Sequence, residues 1–277
     1  MNTPPAKTKA HLVCELAGNT PVNRELFQLE FAWPGPAPRA GQFFMLKPRR
    51  SGMFLARPIS AASWSSVRSG SRALRFLIAR RGRGTGELAA LRPGEEAELT
   101  GPLGNAWLDF LSPLLADKAP AGKERPARIA LAGGGIGIAP LMALLSGETP
   151  GLSFDVYAGF RTGFTGPDER NLLLGPALQY AEKLVIATED GSEGLRGRIP
   201  GFLDPAPYTA VCACGPEPML QAVSALCKTA GVPCFVSLER RMACGVGACL
   251  GCTVRTLAGN RRCCADGPIF RSEEVFP

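Results

Sequence analysis

Between Met242 and Cys264 the chain sets Cys244, Cys249 and Cys252 at C-x4-C-x2-C spacing and, after eleven intervening residues, Cys264. Three thiolates on one short loop with a distant fourth is the ligand spacing of a plant-type [2Fe–2S] centre, and wrapping a cluster leaves such a loop little conformational freedom. Gly245, Gly247, Ala248 and Gly251 fill the gaps. Small residues let the backbone turn tightly and aim N–H groups at the sulfurs, where those bonds tune the reduction potential. Val246 and Leu250 are apolar and are expected to shield the centre from water.

Structural disulfides, a four-cysteine zinc knot and ordinary buried thiols compete for the same residues. The chain opens without a secretory signal pattern, and half of its ten cysteines crowd between Cys244 and Cys264, which argues against a disulfide framework. Zinc sites more usually pair two short hooks, whereas here three thiols stand together and one alone. Spacing does not choose between the adjacent Cys263 and Cys264.

At 277 residues and 45% hydrophobic content the chain is long enough for about two globular domains. Its longest uncharged run, residues 129–147, is broken by Gly133, Gly134, Gly135, Gly137 and Pro140, so a strand-to-helix turn is expected there and not a membrane span. A soluble, cytoplasmic protein is expected. The net charge of +7 would suit nucleic acid, but the arginines are scattered and three Trp and three Tyr leave few surfaces for stacking bases. Phosphate-bearing cofactors or an acidic partner explain it better. The one histidine, His11, falls in an expected strand, which removes a His-based triad and a His-rich metal site. No catalytic side chain is assigned, and the chemistry must come from bound cofactors.

After a polar, Pro-containing end at residues 1–9, short strands are expected at 11–16, 26–31, 42–46, 57–61, 74–79 and 96–100, separated by Pro/Gly punctuation. That spacing predicts a small antiparallel barrel. Two patches on it suit phosphate. Arg57-Pro58-Ile59-Ser60 offers a guanidinium and a hydroxyl. Residues Arg80 to Gly86, including Gly84 and Thr85, offer backbone amides and a hydroxyl ahead of a short helix expected at 87–91. Each patch alone is also an ordinary strand or turn. A turn at Gly101-Pro102-Leu103-Gly104-Asn105 is expected to close the barrel, and residues 111–127, rich in Pro, Ala and charge, read as a linker.

The next segment alternates strand and helix patterns, as a parallel α/β domain does. A strand at 128–132 enters the glycine-rich turn from Gly133 to Pro140, with Gly135 and Gly137 in it, and a helix begins at Leu141. Pro140 stands where the third glycine of a Rossmann fingerprint would be, yet bare backbone still lets a pyrophosphate approach. Further strands are expected at 154–158, 184–188 and 209–213, with helices at 171–181 and 218–230. Their C-terminal ends carry Gly159-Phe160-Arg161, Thr188-Glu189-Asp190-Gly191 and Cys214-Gly215-Pro216, the edge at which open α/β sheets bind ligands.

Arg57 to Ser60, Gly84-Thr85, Gly101 to Gly104, Gly133 to Pro140 and Cys214 to Pro216 together resemble the ferredoxin–NADP reductase superfamily over nearly the whole chain. The tail from Ser237 to Cys252, with Cys264 to Phe270, is similar more narrowly to the electron transfer subunits of NAD-dependent dihydroorotate dehydrogenases. The resemblance implies an antiparallel FAD-binding barrel over residues 1–105, a parallel α/β NAD-binding domain over 106–233 and a small [2Fe–2S] domain over 234–277. It implies Arg57, Pro58, Ile59, Ser60, Arg80, Gly84 and Thr85 at FAD, and Gly135, Gly137, Cys214 and Gly215 at NAD. It makes Cys264 the fourth ligand beside Cys244, Cys249 and Cys252, since the family's last cysteine precedes x-Asp-Gly-Pro. A flavin-bearing dihydroorotate dehydrogenase catalytic subunit is the implied partner, in a heterotetramer of two of each. Ile59 departs from the wider motif, which often carries Tyr there, and Cys263 and the 111–127 stretch are not part of the family pattern. The alternatives are an NAD(P)H-oxidising subunit of a hydrogenase or of a sulfur or ferredoxin reductase, and a non-enzymatic iron–sulfur module.

Overall fold

Alternation of apolar and polar residues builds the first unit. Along β2 (Leu26–Trp33), Phe27, Leu29, Phe31 and Trp33 point inward, and along β6 (Arg72–Ala79) so do Leu74, Phe76 and Ile78. The computed structural model describes residues 8–50, 52–66, 72–116, 126–147 and 149–277. With β1 (Ala10–Pro21), β3 (Phe43–Pro48), β4 (Arg57–Ser60), β5 (Ser63–Ser66) and β7 (Glu96–Leu103), these strands form one antiparallel sheet in the order β4-β3-β7-β1-β2-β6-β5. The chain passes from one edge strand to the other through Ala61 and Ala62. Their amides bond Gln42 O (3.1 Å) beside β3 and Arg75 O (2.9 Å) on β6, which curls the sheet into a barrel. Inside, Phe44 packs edge-on against Trp33 (5.1 Å) and Phe76 (5.5 Å). Fully burying a side chain such as Phe44 contributes roughly 1.5–3 kcal/mol.

The barrel differs from the sequence expectation in three places. Strand β5 was not anticipated, since its residues Ser63, Trp64, Ser65 and Ser66 carry weak strand signal. Helix α1 (Arg83–Ala89) starts four residues earlier than expected because the Thr85 hydroxyl accepts the amides of Arg81 (2.8 Å) and Gly82 (3.3 Å) and caps its first turn. Gly84, Thr85 and Gly86 therefore lie within the helix and not in a loop before it. The expected turn at Gly101-Pro102-Leu103 is the end of β7, where Ala10 pairs with Gly101 and Phe43 with Leu103.

The expected linker also begins as structure. Helix α2 (Leu108–Ala116) buries Leu111 beside Trp107, and Asp109 accepts the Ala106 amide (2.9 Å) in its first turn. Residues 117–125 of that stretch, like residues 1–7 of the expected loose end, lie outside the described residues.

The second unit is a sheet of β8 (Ala127–Gly134), β9 (Leu152–Phe160), β10 (Lys183–Thr188), β11 (Leu195–Arg196), β12 (Ala210–Cys214) and β13 (Cys234–Ser237), all parallel. Helices α3 (Ala139–Leu145), α4 (Pro167–Tyr180) and α5 (Glu217–Ala230) make crossovers, and the sheet's inner strands are buried runs such as Ala210 to Cys214. A hairpin of β14 (Thr253–Thr256) and β15 (Gly259–Arg262) follows, then β16 (Ile269–Arg271) and α6 (Ser272–Val275). Strand β16 adds antiparallel to β13, giving the order β11-β10-β9-β8-β12-β13-β16. The boundary expected at residue 234 thus falls at a strand that belongs to the α/β sheet, and the cysteine-rich segment is stitched onto that sheet's edge by its own last strand. No helix among the described residues is long and apolar enough to cross a membrane.

Candidate cofactor sites

The cysteine loop rests on the barrel. Gly245 has a φ of 69°, and a Cβ there would stand 2.5 Å from Met45 Cγ on β3 and 3.2 Å from Leu103 Cδ1 on β7, so glycine is required both by the turn and by the close approach. Cys252, Cys263 and Cys264 share one core with Phe43, Met45 and Leu103.

The four thiols at Cys244, Cys249, Cys252 and Cys264 stand as two pairs, each dressed by amides. Val246 N and Cys249 N both donate to Cys244 Sγ at 3.5 Å. Gly247 N donates to Cys264 Sγ (3.1 Å), and Cys264 N to Cys252 Sγ (3.4 Å). Burial alone would raise the Cys244 thiol, but the amides of Cys249, Val246 and Ala248, with the Cys249 thiol, outweigh it and bring Cys244 down to about 6. Burial, then the neighbouring Cys252 thiol, pushes Cys264 up to about 12. Iron would take the place of that proton. Among the described residues no three His, Cys, Asp or Glu side chains gather closely enough to hold a single metal ion. Two thiol pairs would suit the two irons of a [2Fe–2S] cluster.

Cys263 points elsewhere. It is fully buried, its Sγ donates to Leu238 O (3.3 Å), and burial pushes it up to about 12, so it stays a neutral thiol. Val246 and Leu250, expected to shield the centre, instead face solvent, Leu250 being 62% exposed. Leu250 is the one non-glycine residue with positive φ (59°) among those described, and its carbonyl is held by Thr253 N (3.2 Å).

On the barrel, Arg57 and Ser60 stand at the two ends of β4, both half-buried, with Pro58 and Ile59 between them. Ile59 packs on the barrel core. A Cβ on Gly84 would overlap the Arg57 guanidinium, so the two residues approach as closely as their atoms allow. Arg57 Nη1 donates to Leu55 O (2.6 Å), which orients the group. Arg57 and Gly84 are thus brought together, and the Thr85 hydroxyl is occupied by the helix cap. Arg80 is exposed and lines a separate groove with Asn19, Arg24 and Arg92.

In the α/β unit, adjacent strands β8 and β12 end in two glycine turns that touch. A Cβ on Gly137 would stand 2.7 Å from Cys214 O and 2.8 Å from Gly215 Cα. Above Gly135, in contrast, a Cβ would meet nothing within 4 Å, so bare backbone faces open space. That is the cradle a pyrophosphate needs at the C-terminal edge of a parallel sheet. Cys214 is buried, and burial first, with Glu239 second, raises its thiol to about 12. It packs in the core as a neutral thiol.

Residues that sequence reasoning did not single out hold these parts together. Asn105, 7% exposed, bonds Gly267, Asp266 and Ile269 and ties the barrel's end to the cysteine segment. Asn23 Nδ2 donates to Glu169 Oε1 (2.6 Å), linking the barrel to α4. Arg262 and Asp266 pair beside Cys264. Asn105 and Asn23 carry no local signal, because their partners are more than a hundred residues away in sequence.

Residues 239–276 match the family model of the iron-sulfur cluster binding domain of dihydroorotate dehydrogenase B. The chain is 35% identical over 238 residues to the dihydroorotate dehydrogenase B (NAD(+)), electron transfer subunit of Clostridium acetobutylicum, covering 86% of each chain. To the subunit of the same name from Clostridium perfringens it is 37% identical over 239 residues, 85% of this chain and 86% of that one. Among solved structures, a chain of an NADH-dependent reduced ferredoxin-NADP oxidoreductase has the same fold (TM-score 0.73, 24% identity, 98% of this chain and 90% of that one). So does a ferredoxin NADP+ reductase from Neisseria gonorrhoeae with bound FAD and NADP (TM-score 0.57, 19% identity, 80% and 92%). The structural likenesses speak for fold, and the sequence identities over most of both chains place this chain in the family of dihydroorotate dehydrogenase B (NAD(+)) electron transfer subunits.

Proposed function

We propose that this chain is the NAD-linked electron transfer subunit of a dihydroorotate dehydrogenase, delivering to NAD+ the electrons that a flavin-bearing catalytic partner takes from dihydroorotate in pyrimidine biosynthesis. When bound, the [2Fe–2S] cluster carries single electrons, and FAD exchanges one or two and so matches them to the hydride that NAD+ accepts. Cys244, Cys249, Cys252 and Cys264 hold the cluster, and the amides of Val246, Gly247 and Cys249 stabilise negative charge on its sulfurs. Arg57, Pro58, Ile59 and Ser60 hold FAD, with Arg57 gripping phosphate; Gly84 leaves room for the guanidinium and Thr85 fixes the helix under it, whereas Arg80, in its separate groove, stands apart from this grip. Gly135, Gly137, Cys214 and Gly215 form the NAD cradle. Units 1–105, 106–233 and 234–277 divide this work.

The observation that carries the reading is the pair of amide-dressed thiol pairs seated on β3 and β7 of the barrel while β16 of the same segment extends the α/β sheet. Among the described residues the one histidine, His11, bonds Thr100 Oγ1 (2.7 Å) on the barrel surface, and the loop cysteines are assigned here to iron, which leaves no base singled out for dihydroorotate. We place that site on the partner and propose two copies of each subunit. The complex purified with its partner should reduce NAD+ with dihydroorotate, and this chain alone should not. NAD+ reduction by the isolated chain, or a complex inert to dihydroorotate, would overturn the reading.

A further inference from the structure

The buried pairing of Cys252 with Cys264 has a charged neighbour. Arg262 Nη1 lies 3.5 Å from where a Cβ on Gly247 would stand, and Gly247 N is itself 3.1 Å from Cys264 Sγ. The arginine is not free to swing away. Its backbone N (2.7 Å) and Nε (3.1 Å) both donate to Asp266 Oδ2, and its Nη2 donates to Asp266 Oδ1 (3.1 Å). Such a bidentate pair fixes the plane of the guanidinium as a lysine could not. Asp266 takes Nε and Nη2, which leaves Nη1 turned to Gly247, whose amide bonds Cys264 Sγ, so the positive end of the pair stands on the side of the sulfurs and the carboxylate behind it.

We propose that the Arg262–Asp266 pair sets the reduction potential of the cluster held by these thiols, the guanidinium raising it and the carboxylate moderating that effect. This rests on the ligand assignment above. A cluster with four thiolates is already an anion, and taking up an electron makes it more negative, so a fixed cation beside it stabilises the reduced form and a fixed anion opposes it. The two members of one ion pair then shift the potential in opposite directions. A pair that merely braced the loop would give shifts of one sign, or loss of the cluster, whichever partner was removed.

The test is an EPR-monitored redox titration of the cluster in the purified complex for wild type, Arg262→Gln, Arg262→Lys and Asp266→Asn, the last keeping an acceptor for the Arg262 amide. The midpoint should fall in Arg262→Gln, stay near wild type in Arg262→Lys and rise in Asp266→Asn. An unchanged or raised midpoint in Arg262→Gln, or equal shifts in the Gln and Lys variants, overturns the proposal. Should Arg262→Gln fail to retain its cluster, Asp266→Asn decides alone, and an unchanged or lowered midpoint there overturns it. Failure of the ligand assignment looks different: Cys264→Ser would then keep a wild-type cluster spectrum.

Discussion

Asn105 and Ile269, 164 residues apart in sequence, exchange two hydrogen bonds: Ile269 N donates to Asn105 Oδ1 (3.0 Å) and Asn105 Nδ2 donates to Ile269 O (2.8 Å). The side-chain amide thereby plays the part of a neighbouring strand. Its backbone N adds a bond to Gly267 O (2.7 Å), and Nδ2 a longer one to Asp266 O (3.2 Å). This clasp lies between the end of β7 and the start of β16, so it fixes the cysteine segment against the barrel on one side while β16 fixes it to the α/β sheet on the other.

Asn105→Ala should loosen that junction. It leaves the Ile269 amide unpaired in a buried site, and each such orphan costs about 1–3 kcal/mol. Asn105→Asp should be no better, since it removes the donor and sets a carboxylate against the carbonyls of Ile269 and Asp266. Both variants should release iron faster and melt at lower temperature, with FAD content near wild type. Iron retention and melting equal to wild type in both would show that the clasp does not hold the segment.

The ligand register is open to a direct comparison. Cys264→Ser should abolish or strongly distort the cluster signal, because a serine oxygen is a harder and poorer partner for iron than a thiolate. Cys263→Ser should leave it largely intact, because that side chain is turned to Leu238 O, to which a hydroxyl can also donate. A normal reduced-cluster EPR spectrum in Cys264→Ser would sink the assignment.

Local chemistry made much of this legible in sequence. The period-two pattern of Phe27, Leu29, Phe31 and Trp33 marks an inward strand face, and Gly133 to Gly137 marks a strand-to-helix turn, because both signals lie within a few residues. The cysteine spacing works for the same reason. The start of α1 was misplaced because Gly82, Gly84 and Gly86 read as loop, while the Thr85 cap that overrides them is a matter of geometry. The roles of Asn105, Asn23 and β16 were invisible, since each is defined by a partner remote in sequence. Spacing does not separate Cys263 from Cys264, and the Ala-Asp-Gly-Pro that follows Cys264 does so only through the family resemblance; in the structure the two differ in which way each thiol faces.

Arg57→Ala should weaken FAD binding. Charge-assisted bonds to phosphate are worth roughly 1.5–3 kcal/mol, about ten- to a hundredfold in affinity. Arg57→Lys should recover only part, because an ammonium cannot present the planar fork. Gly84→Ala should mimic the loss, since its Cβ would displace the guanidinium. Flavin occupancy and fluorescence-monitored FAD titration measure this, and full occupancy with unchanged affinity in Arg57→Ala would exclude the phosphate role.

Leu250 is where the cluster loop should meet its partner. A leucine in the left-handed region is disfavoured by about 1–2 kcal/mol, because its Cβ crowds the following carbonyl, so this backbone persists only where the loop enforces it. The result is an apolar side chain 62% exposed at the tip of the loop, next to Cys249 and close to the half-exposed Val246. Exposed apolar groups clustered at a site of electron exchange mark an interface, and covering them would bring the cluster towards the partner's flavin. Leu250→Glu should therefore weaken assembly, since an unpaired charge buried in an interface costs several kcal/mol. The substitution leaves the barrel untouched, so FAD should stay bound and NADH-driven dye reduction should persist. Leu250→Gly separates the two properties of this position, because it removes the side chain yet suits the backbone: it should assemble less tightly than wild type without losing thermal stability. Copurification of Leu250→Glu with the partner at the wild-type ratio, at concentrations spanning the dissociation constant, would rule out this loop as the docking point.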